Sequence, residues 1–314
     1  MIILDKPAQS VMLFNREGKF IRRIGRAGSG KGQFMEITDM VYYPETNLIE
    51  IFSLPERKLL RFNTSGELMN EVLSEFYFLA FYHSKDGYWV YGCFPENKKK
   101  GVFEFRGNKY NLLLLSEDLK TAKSGFCESR NFFDRTSNND NFQVNDEGEL
   151  FFHYGYDNIV YKLKNKEAIP YWFLDFGKNR LPYDHIVTLS TRKQFDQAIS
   201  PGAVKYDGLI YNLRIGSNQI SLSSSEFGSL ENSRSIIVNI TDSIKVRNYT
   251  KIESVAQGGL LPNPIHFNHN KAFFIINPRM MNEQELTTLM REYHIKTNNA
   301  SNLILLIVDE NNIT

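Results

Sequence analysis

Six histidines, His83, His153, His185, His266, His269 and His294, are the first place to look for metal or proton chemistry. A neutral imidazole binds zinc, and its charge changes near physiological pH. Only His266 and His269 lie close in sequence, whereas a metal centre needs three or four converging ligands. Where a fold gathers ligands from separate repeats, His83, His153 and His266 become the candidate set for a zinc or calcium ion. The plainer expectation is that they are structural, and that the chain needs no cofactor. Gly25-Arg26-Ala27-Gly28-Ser29-Gly30-Lys31-Gly32 nearly matches the phosphate-binding pattern G-x-x-x-x-G-K-[ST]. Gly32 stands where the Mg²⁺-holding hydroxyl belongs, and Gln33-Phe34 leads into a strand instead of a helix. The segment therefore reads as a turn between repeats. No spacing among Asp, Glu and Ser selects a nucleophile or a carboxylate pair.

The elements that would position such residues are strands. Phe14 to Phe34 reads as strand, polar turn at Asn15–Gly18, strand and glycine-rich exit, and Phe62–Leu68 is a degraded copy of its first half. A strand–turn–strand unit recurring at about 40–50 residues marks a propeller blade. The 13% aromatic content suits pleated surfaces, and 314 residues suffice for one large all-β domain. Inner hairpin turns are expected at Pro44–Asn47, Lys85-Asp86-Gly87, Asp146-Glu147-Gly148, Tyr206-Asp207-Gly208 and Asn268-His269-Asn270.

Five such turns, preceded by a blade without its innermost strand, predict a six-bladed β-propeller of four-stranded antiparallel blades over residues 1–314. The blades fall near 1–32, 37–73, 76–128, 141–177, 205–252 and 265–314. Helical insertions are expected at 183–199 and 283–293, the second capped by Asn282 with Leu286, Leu289, Met290 and Tyr293 on one face. The first and last blades each fall short, so the reading expects a closing strand upstream of Met1.

Balanced charge, +1 overall, leaves no broad basic face for nucleic acid. No run approaches the ~18–20 apolar residues of a membrane-spanning helix. The first ten residues lack the features of a signal peptide. Cys93 and Cys127 are too few for a disulfide scaffold and read as two buried thiols, with pairing open in an oxidising compartment. Propellers bind at a mouth of their channel, through loops that enter the innermost strands. That places candidate ligand contacts at Asp39, Tyr77, Asn141 and His266, with Arg130 and Arg135 on the long loop before the fourth blade.

Ile21-Arg22-Arg23-Ile24 through Phe34 resembles the end of an NHL-type repeat. The stretch from Asn158 to Pro182, with Val160-Tyr161 and Asp175-Phe176-Gly177, resembles the fourth blade of six-bladed propeller proteins of gut-dwelling Gram-negative bacteria. Ser301–Glu310 is similar to that family's last strand. The resemblance implies a periplasmic or cell-surface location, although this sequence shows no leader, and it implies no assigned activity. The reading favours a non-enzymatic binding module for a peptide, glycan or protein at the channel mouth. The alternative is a metal-dependent hydrolase or lyase with ligands drawn from several blades.

Overall fold

The computed structural model describes residues 1–92, 104–128, 141–155, 157–177, 191–198, 206–216, 219–226, 234–239, 249–252, 265–268, 271–276, 278, 281–292 and 304–309. The chain divides into two compact units, Met1–Asn139 and Asp140–Thr314. Each is built mainly from small antiparallel sheets, most of them with strands paired in sequence order.

In the first unit, β1 (Ile2–Asp5), β2 (Ser10–Phe14) and β3 (Phe20–Ile24) form a three-stranded sheet. The turn after β2 is fixed by Asn15, whose side-chain oxygen accepts from the Glu17 and Lys19 N–H groups, while Gly18 takes a φ of 76°. This is an Asx turn completed by a residue in the left-handed region, which favours glycine. Asn63 with Gly66, and Asn145 with Gly148, use the same device. The repeat visible in the sequence is thus a repeat of turn chemistry.

A short parallel pair, β4 (Arg26–Ala27) and β5 (Gln33–Phe34), closes the glycine-rich loop. Four strands follow: β6 (Ile37–Tyr43), β7 (Leu48–Ser53), β8 (Lys58–Asn63) and β9 (Leu68–Leu73). The third sheet has five strands: β10 (Ala80–Ser84), β11 (Gly87–Tyr91), β12 (Glu104–Phe105), β13 (Asn108–Leu115) and β14 (Ala122–Glu128). β7 reads Leu-Ile-Glu-Ile-Phe-Ser without alternation because both of its faces are buried. Ile49 and Ile51 join a core with Val11, Ile24 and Phe62, while Phe52 joins Phe78, Phe81 and Leu113 on the other side.

The glycine-rich loop is the opposite of a phosphate cradle. Its N–H groups are already used: Gly28 N donates to Phe34 O, Gly30 N to Gln33 Oε1 and Gly32 N to Glu71 Oε2. Its carbonyls instead surround a cation of the chain itself. The buried Lys58 ammonium donates to Gln33 O at 3.2 Å, Gly30 O at 3.5 Å and Glu56 Oε1 at 3.0 Å, with Glu71 at 3.8 Å. Burial pushes the Glu56 carboxyl up, but hydrogen bonds from Lys58, Met35 N–H and Ser53 outweigh it, and its pKa is lowered.

In the second unit, β15 (Phe142–Val144), β16 (Leu150–Phe152), β17 (Ile159–Lys164) and β18 (Glu167–Phe173) form a four-stranded sheet. Helix α1 (Arg192–Ala198) precedes a second four-stranded sheet of β19 (Asp207–Ile215), β20 (Gln219–Glu226), β21 (Arg234–Asn239) and β22 (Tyr249–Ile252). The last sheet has three strands, β23 (His266–Asn268), β24 (Lys271–Ile276) and β25 (Ile304–Asp309), with helix α2 (Glu283–Glu292) inserted before β25. Leu289 of α2 is fully buried against Phe267, Phe274 and Leu306. Asn282 stands just before α2 and accepts the Leu286 N–H on its carbonyl, as an N-cap residue does.

Within the first unit the leading strands β6 and β10 lie side by side, and within the second unit β19 lies beside both β15 and β23. Successive sheets touching through their leading strands is the arrangement of propeller blades, and the chain is all-β in this sense. The expected six uniform four-stranded blades are corrected: among the described residues the sheets of three or more strands carry three, four, five, four, four and three strands, beside the two-stranded β4–β5 pair, so six full blades are not what the structure shows. Asp207-Gly208 is also not a turn. It begins β19, a bulged strand that runs on to Ile215 and pairs with β20. Of the insertion expected at 183–199, the described helix is 192–198; Tyr293, expected in the second, lies outside the described residues. Cys127 is half-buried on β14, and Cys93 lies outside the described residues. No helix among the described residues is long and apolar enough to cross a membrane.

Candidate functional site

A carboxylate in the middle of an apolar strand needs partners, because an unpaired buried charge is too costly to keep. Glu50 of β7 is fully buried on the face that β7 turns toward β10 and β11. Arg61 stands directly opposite on β8 and donates Nε to Glu50 Oε1 at 2.7 Å. Tyr88 of β11 donates its hydroxyl to the same oxygen at 2.5 Å, and Tyr43 of β6 donates to Oε2 at 3.2 Å. A second Arg61 N–H reaches the Tyr88 hydroxyl, and the guanidinium carbon lies 5.6 Å from the Tyr88 ring centroid. Four strands from two sheets converge on one carboxylate.

The electrostatics follow from this packing. Burial first, and the Glu50 charge second, raise the pKa of both Tyr43 and Tyr88, so both hydroxyls stay protonated donors. Desolvation works against the Arg61 charge, but its bonds to Tyr88 and Glu50 prevail and hold it protonated.

This network carries a ledge on β10. The His83 backbone N–H donates to the Tyr43 hydroxyl at 2.8 Å, and the imidazole stacks on the Tyr88 ring at 4.3 Å and 9°. His83 Nε2 lies 2.8 Å from Glu117 Oε2, and 30% of the side chain remains exposed. Beside it, the Tyr82 ring sits 5.4 Å from Tyr43, its pKa raised by burial and then by Glu45. Backbone, ring face and ring nitrogen of His83 are each held, so the ledge presents one fixed aromatic and polar surface.

The residues expected to line a channel mouth have varied settings. Asp39 is buried and spends its carboxylate on the chain: Oδ1 accepts from Met40 N at 2.9 Å and Oδ2 from Phe81 N at 3.0 Å. It joins β6 to β10. Tyr77 is half-buried with the Arg57 guanidinium 5.2 Å from its ring centroid. Arg130 and Arg135 lie outside the described residues. In the second unit, Asn141 is buried, and its side-chain NH₂ donates to His153 O at 2.9 Å. His266 keeps an open surface on β23 and packs its ring 5.6 Å from Phe273. Desolvation, then the Arg214 charge, lower its pKa, and Asp146 acts in the opposite sense.

Of the candidate metal ligands, His83 belongs to the first unit; in the second, His153 follows β16 and His266 opens β23. His153 donates Nε2–H to Asp157 O at 2.8 Å, and burial lowers its pKa to about 4, leaving it neutral. No group of three or more His, Cys, Asp or Glu that could hold a metal occurs among the described residues. The Glu50–Arg61–Tyr88 network was missed by sequence reasoning. Its one signal was a glutamate inside the unbroken apolar run of β7.

No curated protein matches the sequence. Among solved structures, a putative exported protein of Bacteroides fragilis NCTC 9343 aligns with a TM-score of 0.73 at 14% identity, over 98% of this chain and 86% of that one. A member of the DUF4221 family from Bacteroides vulgatus ATCC 8482 aligns with a TM-score of 0.51 at 7% identity, over 86% of this chain and 81% of that one. At such identities the likeness speaks for the fold alone. A family profile described as a domain of unknown function, DUF4934, matches residues 1–310, and the chain belongs to that family of β-propeller fold.

Proposed function

We propose that this chain is a non-enzymatic recognition module, and that the ledge of Tyr82 and His83 contacts a peptide, glycan or protein. The observation that carries this reading is the immobilised His83 ring, stacked on Tyr88 and tied to Glu117 while still partly open. A side chain already locked in one rotamer loses little freedom when a ligand lands on it, which favours binding. General acid–base work would need a titrating group free to take or give a proton in reach of substrate. Here Glu50, Arg61, Tyr43 and Tyr88 are engaged with one another.

The test is calorimetry and thermal-shift screening of the purified chain against defined peptide and glycan panels. The Tyr82→Ala and His83→Ala variants follow for every hit. Binding is expected to weaken at least about tenfold in each, in line with the loss of an aromatic anchor. Unchanged affinity in both variants would move the site elsewhere, and turnover of a panel compound would replace the reading with an enzymatic one.

A further inference from the structure

The first sheet ends in a strand whose free side is strongly basic. β3 pairs only with β2, and among the described residues no backbone hydrogen bond from Phe20 to Ile24 goes anywhere else. From Arg16 to Lys31 the chain carries six cations, Arg16, Lys19, Arg22, Arg23, Arg26 and Lys31, against one acid, Glu17. That is a net of +5 in a chain whose whole charge is +1. All six cations are exposed, and among the described residues none makes an ion pair. Arg22 donates instead to the Ser65 carbonyl in the β8–β9 turn. The acids of that hairpin are occupied: Glu67 accepts from Asn63 Nδ2, and Glu71 from the Gly32 N–H.

Charge on an open edge commonly guards against unwanted pairing, because cation opposite cation is unfavourable. Guarding alone does not account for β3. The edge strands β9, β18 and β25 carry no cation, although they expose Met69, Tyr171 and Ile307. β3 in turn leaves Phe20 50% and Ile21 46% exposed among its cations, which a merely protective edge would hide. An unpaired backbone edge supplies main-chain hydrogen bonds, and the side chains along it choose the partner. Guanidinium groups without a carboxylate choose an acidic one. We propose that β3 is a docking edge for an extended acidic segment of a partner protein, which adds to the first sheet as a further strand. The inference uses neither His83 nor the β10 ledge, so it stands or falls apart from the recognition reading above.

Fluorescence anisotropy of the full chain with a dye-labelled, alternating Glu-Val octapeptide tests it. Saturable binding is expected, and the matching Lys-Val peptide should not bind. The Arg23→Glu/Arg26→Glu variant alters two exposed side chains, so its melting midpoint should stay that of the parent while its affinity falls at least about tenfold. A Glu-Val peptide methylated on every backbone nitrogen keeps its charge but cannot form a ladder, and should bind the parent chain at least about tenfold more weakly. This last comparison needs no variant and holds even if the double substitution disturbs folding. Absence of binding to the Glu-Val peptide, or equal affinity of variant and parent, would overturn the proposal. Equal binding of the methylated peptide would reduce the edge to simple charge attraction and overturn strand addition. Tighter binding to phosphatidylglycerol vesicles or to a DNA oligonucleotide than to the peptide would replace the partner with a membrane or a nucleic acid.

Discussion

Glu50 shows how a single side chain can set the character of a region. Its charge is tolerable because Arg61, Tyr88 and Tyr43 supply donors in fixed positions, and truncating one member of such a set typically costs about 3–5 kcal/mol. His153 solves the same problem by giving up its charge. The unfolded ring titrates near 6.5 and the folded ring near 4, so below pH 6.5 the unfolded chain takes up a proton that the folded chain refuses. The contribution of this residue is therefore intact above pH 6.5 and is lost as pH falls toward 4. Urea midpoints measured from pH 7.5 down to 4.5 should decline, and His153→Gln should flatten that decline. A variant that tracks the parent at every pH would show that another group controls acid stability.

At the scale of elements, the strands and turns were legible because their signals are local. Asn15, Asn63 and Asn145 each announce a turn closed by a glycine three residues on, and the short first and last sheets follow from where apolar runs begin and stop. Helix α2 was legible from Asn282 and the spacing of Leu286 and Leu289. Asp207-Gly208 misled because a turn-forming pair can also open a bulged strand, and only pairing with β20 decides. The Glu50 network lay beyond reach for a related reason: its members meet by register across four strands, which no sequence spacing encodes.

Local backbone demands at this scale give a sharp comparison. Gly87 has a φ of 126°, and a Cβ there would sit 2.3 Å from Leu115 O of the paired strand. Gly107 has a φ of 83° with nothing within 4 Å of such a Cβ. Gly107→Ala should cost about 1–2 kcal/mol for its left-handed backbone alone. Gly87→Ala should cost clearly more, because it must also force β11 from β13. Equal losses in urea unfolding would mean the hairpin shifts freely to make room.

For the molecule as a whole, the fold likeness at 14% identity indicates that hydrophobic pattern and approximate volume specify these sheets far more than particular side chains do. It also explains why the propeller arrangement of strands was readable while a ligand was not: cores are recoverable from pattern, and contact surfaces depend on individual residues. His83 and His153 both have their Nε2 atoms engaged within the protein. Treatment of the intact chain with EDTA should accordingly leave its melting midpoint unchanged, and a drop of several degrees would reinstate a bound divalent ion.

Lys58 gives that expectation a broader meaning. Loops rich in inward-facing oxygens are often cemented by calcium, and such cement dissolves whenever the surroundings run short of it. Here the positive charge is carried on a tether from the neighbouring strand. Its local abundance is set by covalent linkage, so dilution, chelators or a calcium-poor habitat have no means of withdrawing it.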